Sequence, residues 1–155
     1  MADYQFLTEW FFESPIHDVW SELEDFNAFP KWWKNWQRFE LQGDDTNVGV
    51  GSRFDCAVRG ALPYTIRYTL ELTKLEPPYL NQHQASNGLV GVGKWLLKEQ
   101  DGGTKVEHHW QVRTENPILN AIAQLPWIKK LMYNNHEGIM ERGYHGMKVR
   151  LAQKA

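Results

Sequence analysis

His108 is the residue best placed for acid–base chemistry. It alternates with Val106, Trp110 and Val112 along Thr104–Thr114, while Lys105, Glu107, His109, Gln111 and Arg113 take the other parity. Alternation with period two over that length predicts a half-buried strand with His108 on its apolar face. An imidazole held there loses its charged form to burial, stays neutral and can move protons near pH 7. The alternative is a core histidine bonded to a tyrosine or to the backbone. Tyr64 and Tyr68 share the inward parity of a second strand, where their hydroxyls meet either a ligand oxygen or a partner in the core. Asn135 and Arg142 fall among Met, Ile and Gly on one face of a long C-terminal helix. Either they present donors to a ligand, or Arg142 snorkels to solvent or pairs with a carboxylate.

Other chemistries lack their residues. His136-Glu137 begins the zinc-protease pattern, but the second histidine is replaced by Met140. His136 and His145 are nine residues apart and fall on opposite helix faces, and the adjacent His108 and His109 diverge on a strand. No metal site is therefore expected. There is no Gly-x-Ser-x-Gly, and Cys56 reads as a small packed hydrophobe. Gly88, Gly91 and Gly93 lie in a hairpin and strand rather than between a strand and a helix, so no phosphate loop and no cofactor is implied.

Composition narrows the partners. A chain of 155 residues with 42% hydrophobic and 23% charged residues is expected to form one domain with a real core. The net charge of −2, with no basic block, argues against nucleic acid. No apolar run approaches the ~20 residues of a membrane span. Met1-Ala2-Asp3-Tyr4 has neither the basic nor the apolar region of a signal peptide, and the one cysteine cannot form an internal disulfide. A cytoplasmic location is expected. Eight Trp and 14% aromatics mean either a ring-rich core or a cavity walled by rings.

Several elements must position these residues. Tyr4 to Phe12 reads as a strand with Tyr4, Phe6, Trp10 and Phe12 on one face; Leu7 and Phe11 on the other suggest that both faces are covered. Ser14 is expected to cap a helix that Pro15 begins, with Ile16, Val19, Trp20 and Leu23 inward. A second short helix or turn is expected over Asp25 to Phe29, before Pro30. Trp32, Trp33 and Trp36 follow, expected to shield a sheet edge or a cavity mouth. Strands are expected at Arg38–Gln42 (turning at Gly43-Asp44-Asp45), Ser52–Arg59, Tyr64–Thr73, Tyr79–Ala85 and Leu89–Lys98. Asn116-Pro117 then caps and starts a helical region that Pro126 divides into Ile118–Gln124 and Trp127–Ala152. With Ile139 at its centre, the inward face of the second piece holds Ile128, Met132, Asn135, Gly143 and Gly146, with Arg142 near the same stripe. The glycines either let the helix approach the sheet or leave room for a guest. Short connections between consecutive strands imply an antiparallel sheet.

Phe12-Glu13-Ser14-Pro15, Val19-Trp20 and Asp25-Phe26 leading to Pro30-Lys31-Trp32-Trp33 resemble the opening of the SRPBCC (START, birch-pollen-allergen-like) superfamily. Gly93-Lys94-Trp95, Gly102-Gly103-Thr104, Trp110-Gln111-Val112-Arg113-Thr114 and Asn135-His136-Glu137-Gly138-Ile139-Met140-Glu141-Arg142-Gly143 resemble its polyketide cyclase/dehydrase-like branch. The likeness runs over nearly the whole chain. It implies an α+β helix-grip fold: a curved antiparallel sheet of about seven strands around a long C-terminal helix, with two short helices after the first strand. It also implies a hydrophobic tunnel that takes a lipid, a polyketide or another aromatic molecule.

The combined expectation is a hydrophobic small-molecule ligand held by Trp10, Tyr68, Trp95, His108, Trp110, Asn135, Ile139 and Arg142. No nucleic acid, metal or cofactor is expected, and the oligomeric state is left open. A second reading is a polyketide cyclase or dehydratase with His108 or a tyrosine as proton-transfer group and Arg142 or Asn135 stabilising enolate charge. A third is a protein-interaction module with exposed Trp32 and Trp33 as its patch.

Overall fold

Strand β1 (Asp3–Phe12) opens the chain, and the last strand, β7 (Gly103–Thr114), pairs with it antiparallel. Between them lie β2 (Trp36–Leu41), β3 (Arg53–Val58), β4 (Ile66–Glu76), β5 (Leu80–Ser86) and β6 (Leu89–Gln100). These seven strands form one antiparallel sheet in the order β1-β7-β6-β5-β4-β3-β2. This computed structural model describes residues 3–43, 47–123 and 125–154. The expected turn residues Asp44 and Asp45, the helix end at Gln124, and Met1-Ala2 lie outside the described residues.

After β1 come helix α1 (Ile16–Glu24), a 3-10 turn (Phe26–Ala28) and the short helix α2 (Phe29–Trp32). Ser14 does not cap α1: Pro15 occupies the cap position, and the Ser14 carbonyl accepts instead from the Thr104 hydroxyl at 2.8 Å. The second helical turn also runs through Pro30 rather than stopping before it, because a proline in the first turn gives up no helical hydrogen bond. Ile16, Val19, Trp20 and Leu23 are buried, as the spacing predicts. The expectation that both faces of β1 are covered fails at Leu7, which is 58% exposed on the outer face.

Asn116 caps α3 (Pro117–Ile122), its side chain accepting from the Ile118 and Leu119 amides. Pro126 is the first residue of α4 (Pro126–Ala152), where its missing N–H costs nothing. The far end of α4 is clamped to α1, since the buried Glu22 carboxylate accepts from Arg150 Nε at 2.9 Å and lies 3.2 Å from Lys154 Nζ. Together these elements give the α+β helix-grip arrangement, with α4 held against one face of the sheet.

The helix glycines face neither the sheet nor a guest. A Cβ on Gly143 would lie 2.5 Å from the Trp33 ring, and one on Gly146 would lie 2.8 Å from Trp32. The indoles of the insert fill the space that the glycines leave, and the Trp33 indole donates from Nε1 to the Ile139 carbonyl at 3.0 Å. Gly143→Ala is therefore expected to cost about 1–3 kcal/mol, because overpacking displaces a buried ring. Gly138→Ala, with nothing near its Cβ, is expected to be neutral or stabilising by up to about 1 kcal/mol. Urea melts of the two variants check this; equal losses in both would contradict it.

Candidate functional site

The strand registers place the ring-bearing residues. Trp95 on β6 lies directly opposite His108 on β7, and the two rings meet at 4.2 Å between centroids. Gly93 lies between His83 on β5 and Trp110 on β7. With no side chain there, the His83 and Trp110 rings close over it at 5.6 Å. A Cβ at position 93 would collide with both, which is what a glycine in this strand position is for.

Facing these strands across the interior are Asn135, Ile139, Met132 and Met140 of α4, with Trp33 at the end of α2 and Trp36 at the start of β2 at one side. The residues enclose a cavity of about 110 Å³ between sheet and helix. Its walls are mainly aromatic and aliphatic, and among the described lining residues none is Asp, Glu, Lys or Arg. Its polar side chains are three histidines (His83, His108 and His136), Asn135, Thr114, Tyr4, Tyr68 and the indoles of Trp33, Trp36, Trp95 and Trp110.

Those histidines are neutral. Burial pushes His83 and His136 down to about 4. Burial also holds His108 well below the usual range, helped by the neighbouring His83, His136 and His109. His83 Nδ1 pairs with the buried Asn81 Oδ1 at 3.0 Å; the amide oxygen is an acceptor, so the ring proton sits on Nδ1 and Nε2 is left as an acceptor. The Nδ1 atom of His108 is buried without a hydrogen-bond partner among the described residues, and so is the Trp36 Nε1 donor. The tyrosines stay protonated: burial raises Tyr68 well above its usual range, and burial followed by Tyr133 raises Tyr4.

Six of the eight residues expected from sequence line this cavity: Tyr68, Trp95, His108, Trp110, Asn135 and Ile139. Two do not. Trp10 points inward but is packed solid between Trp33, Trp95 and Tyr144, at 6.0, 5.3 and 6.0 Å between centroids. Arg142 is exposed to solvent. The buried stripe of α4 drifts towards Met140, Met147 and Leu151, about 80–120° round the helix from Ile139, and leaves Arg142 behind. Asn135 lines the cavity, but its Oδ1 is already engaged by the Leu62 amide at 3.2 Å.

The Trp patch is also corrected. Trp33 is 1% exposed and Trp32 only partly exposed, so they do not form an exposed pair. Sequence reasoning missed His83, whose signal was its shared parity with Ala85 on β5, opposite Gly93. Cys56 is buried as a small hydrophobe, and burial raises its thiol.

A curved sheet and terminal helix around an aromatic-lined cavity define a helix-grip protein of the SRPBCC superfamily. Residues 11–152 match the family described as polyketide cyclase / dehydrase and lipid transport, and the chain belongs to that family. The structure is similar to that of TTHA0849 from Thermus thermophilus, with a TM-score of 0.75 at 18% identity over 98% of this chain and 99% of that one. It is also similar to the Zhui aromatase/cyclase from Streptomyces sp. R1128, with a TM-score of 0.72 at 10% identity over 99% and 96% of the two chains. Ara h 8.0201 gives a TM-score of 0.66 at 15% identity over 98% and 99%. At these identities the likeness is one of fold. No curated protein matches the sequence.

Proposed function

We propose that this protein binds one apolar or aromatic small molecule between the sheet and α4, and that the guest carries a polar atom which pairs with His108. The unpartnered, buried Nδ1 of His108 in an aromatic cavity carries this reading. Leaving such a group unsatisfied costs about 1–3 kcal/mol, so a guest that satisfies it recovers that energy on binding. A cavity of about 110 Å³ falls a little short of the ~150 Å³ void that takes benzene, so a single ring enters with a small outward shift of the wall. Larger guests need the wall to move further. Met132 and Met140 supply the adaptable part of it, because their unbranched side chains repack easily.

Binding is preferred over turnover for an electrostatic reason. A cyclase or dehydratase generates enolate charge that must be stabilised. The lining holds no cation to stabilise it: its histidines and tyrosines are neutral, and Arg142 stands outside.

Calorimetric titration with phenol and with toluene tests the reading. Both are expected to bind the natural sequence. His108→Phe should weaken phenol by about tenfold, the value of one lost buried hydrogen bond, and leave toluene unchanged. No binding of either ring, or equal phenol affinity in the variant, would refute it.

A further inference from the structure

The elbow between α3 and α4 exposes the densest run of large apolar side chains described in the chain. Ile118 and Ile122, one turn apart on α3, are 71% and 36% exposed. Leu125 at the bend is 44% exposed, and Trp127 and Leu131, one turn apart on α4, are 64% and 42% exposed. No residue of α3 is buried. A surface-exposed Trp beside isoleucine and leucine is costly in water and is not needed for packing.

The elbow itself carries charges of one sign, with Glu115 just before it. From Asn116 to His136 the chain holds Lys129 and Lys130 and no Asp or Glu. Both lysines are exposed, and neither has a carboxylate partner among the described residues. The β3–β4 loop packs on α4 through Leu62 N to Asn135 Oδ1 and Tyr64 OH to Met132 Sδ at 3.0 Å. That loop adds the exposed Arg59, again without an acid. The carboxylate at the foot of the elbow, Glu115, is taken up by the Gly88 amide at 2.8 Å.

We propose that the α3–α4 elbow is a docking face for an anionic phospholipid surface. Trp127, Leu125 and the isoleucines enter the interface, and Lys129 and Lys130 meet the lipid phosphates. In a symmetric dimer this face would meet its own lysines, Lys129 and Lys130, whereas an anionic bilayer is complementary to them. The elbow also adjoins the cavity. Thr114, which lines the cavity, is tied to α3 by paired hydrogen bonds with Asn120 at 2.9 and 3.0 Å, and Met132 lines it one helical turn beyond Ile128. A docked elbow would thus put the membrane beside the proposed guest site; that purpose rests on the guest-binding reading, whereas docking itself is measured independently of any guest.

Sedimentation of the full chain with vesicles is the test. The protein is expected to pellet with phosphatidylcholine–phosphatidylglycerol vesicles, and less with pure phosphatidylcholine or at high salt. Lys129→Glu with Lys130→Glu should weaken binding by about 25-fold or more, since each basic residue contributes roughly fivefold at an anionic surface. Trp127→Ser should weaken it with both vesicle types, and Val92→Ser, on the outer sheet face, should not. Failure to pellet with either vesicle, or binding unchanged in the elbow variants, would overturn the proposal. So would a concentration-dependent dimer of the natural chain that Trp127→Ser abolishes, because the patch would then be a self-interface. Ring titration that fails while vesicle binding persists removes the guest site and leaves the docking face standing.

Discussion

Trp33→Ala is expected to lower stability by about 4 kcal/mol, in the middle of the range for buried aromatic truncations. For a domain of this size that is about 8–16 °C in Tm. Trp33 is 1% exposed and lies between Trp10, Phe29, Trp32 and Trp36, with its indole over Gly143. Truncation removes the ring, the bond to the Ile139 carbonyl, and one wall of the cavity together. The helix cannot collapse into the gap without dragging Gly143 and Gly146 off the insert. Trp33→Phe keeps a ring and loses the donor, and should cost less, about 1–2 kcal/mol. Trp33→Ala combined with Gly143→Ala should cost no more than Trp33→Ala alone, because the clash at position 143 has lost its partner. Denaturant melts decide it: a loss under about 1 kcal/mol for Trp33→Ala would show that the indole is not a wedge.

Acid should destabilise the protein before most of its carboxylates titrate. In the folded state burial holds His83 and His136 at about 4, and holds His108 well below its usual range. In the unfolded chain each titrates near 6.5. As pH falls below about 6.5 the unfolded state takes up protons that the folded state refuses, so stability declines. The contribution is fully present above about 6.5 and is lost as pH falls to about 4. The slope approaches about 1.4 kcal/mol per pH unit for each histidine, or about 4 for the three together. A natural domain has only about 5–15 kcal/mol in hand, so unfolding or opening of the cavity is expected before pH 4. His108→Phe should reduce the slope by about a third: the replaced Nδ1 has no partner to lose, and a ring still faces Trp95. A denaturation midpoint that is flat from pH 7 to 4.5, or the same slope in the variant, would show that these imidazoles are hydrated.

The fold was legible where a single periodicity governed burial. β7 alternates cleanly from Thr104 to Thr114, and His108 and Trp110 landed inward as that parity required. The Asn116-Pro117 start of α3 and the break at Pro126 were legible because cap chemistry is local. The site was legible in its wall and not in its edges. Arg142 was misplaced because a fixed stripe through Ile139 ignores the drift of the buried face as α4 passes from the cavity to α1. The Trp cluster was misjudged because its acceptors, Gly143 and Gly146, lie more than a hundred residues away. His83 went unnoticed because β5 buries Asn81 and His83, polar residues whose inward side no hydrophobic pattern marks. Trp127 falls outside the inward stripe of α4, and its 64% exposure separates it from the other seven tryptophans.

The most direct test of the guest site is native mass spectrometry of the full chain purified at neutral pH without detergent. The expected spectrum holds a population heavier than the bare chain by one organic molecule, released when the same sample is brought to about pH 4, where the cavity histidines begin to charge and the fold is expected to open. Bare-chain mass in repeated preparations, unchanged after incubation with phenol, toluene and larger ring compounds, would contradict a guest site between sheet and helix.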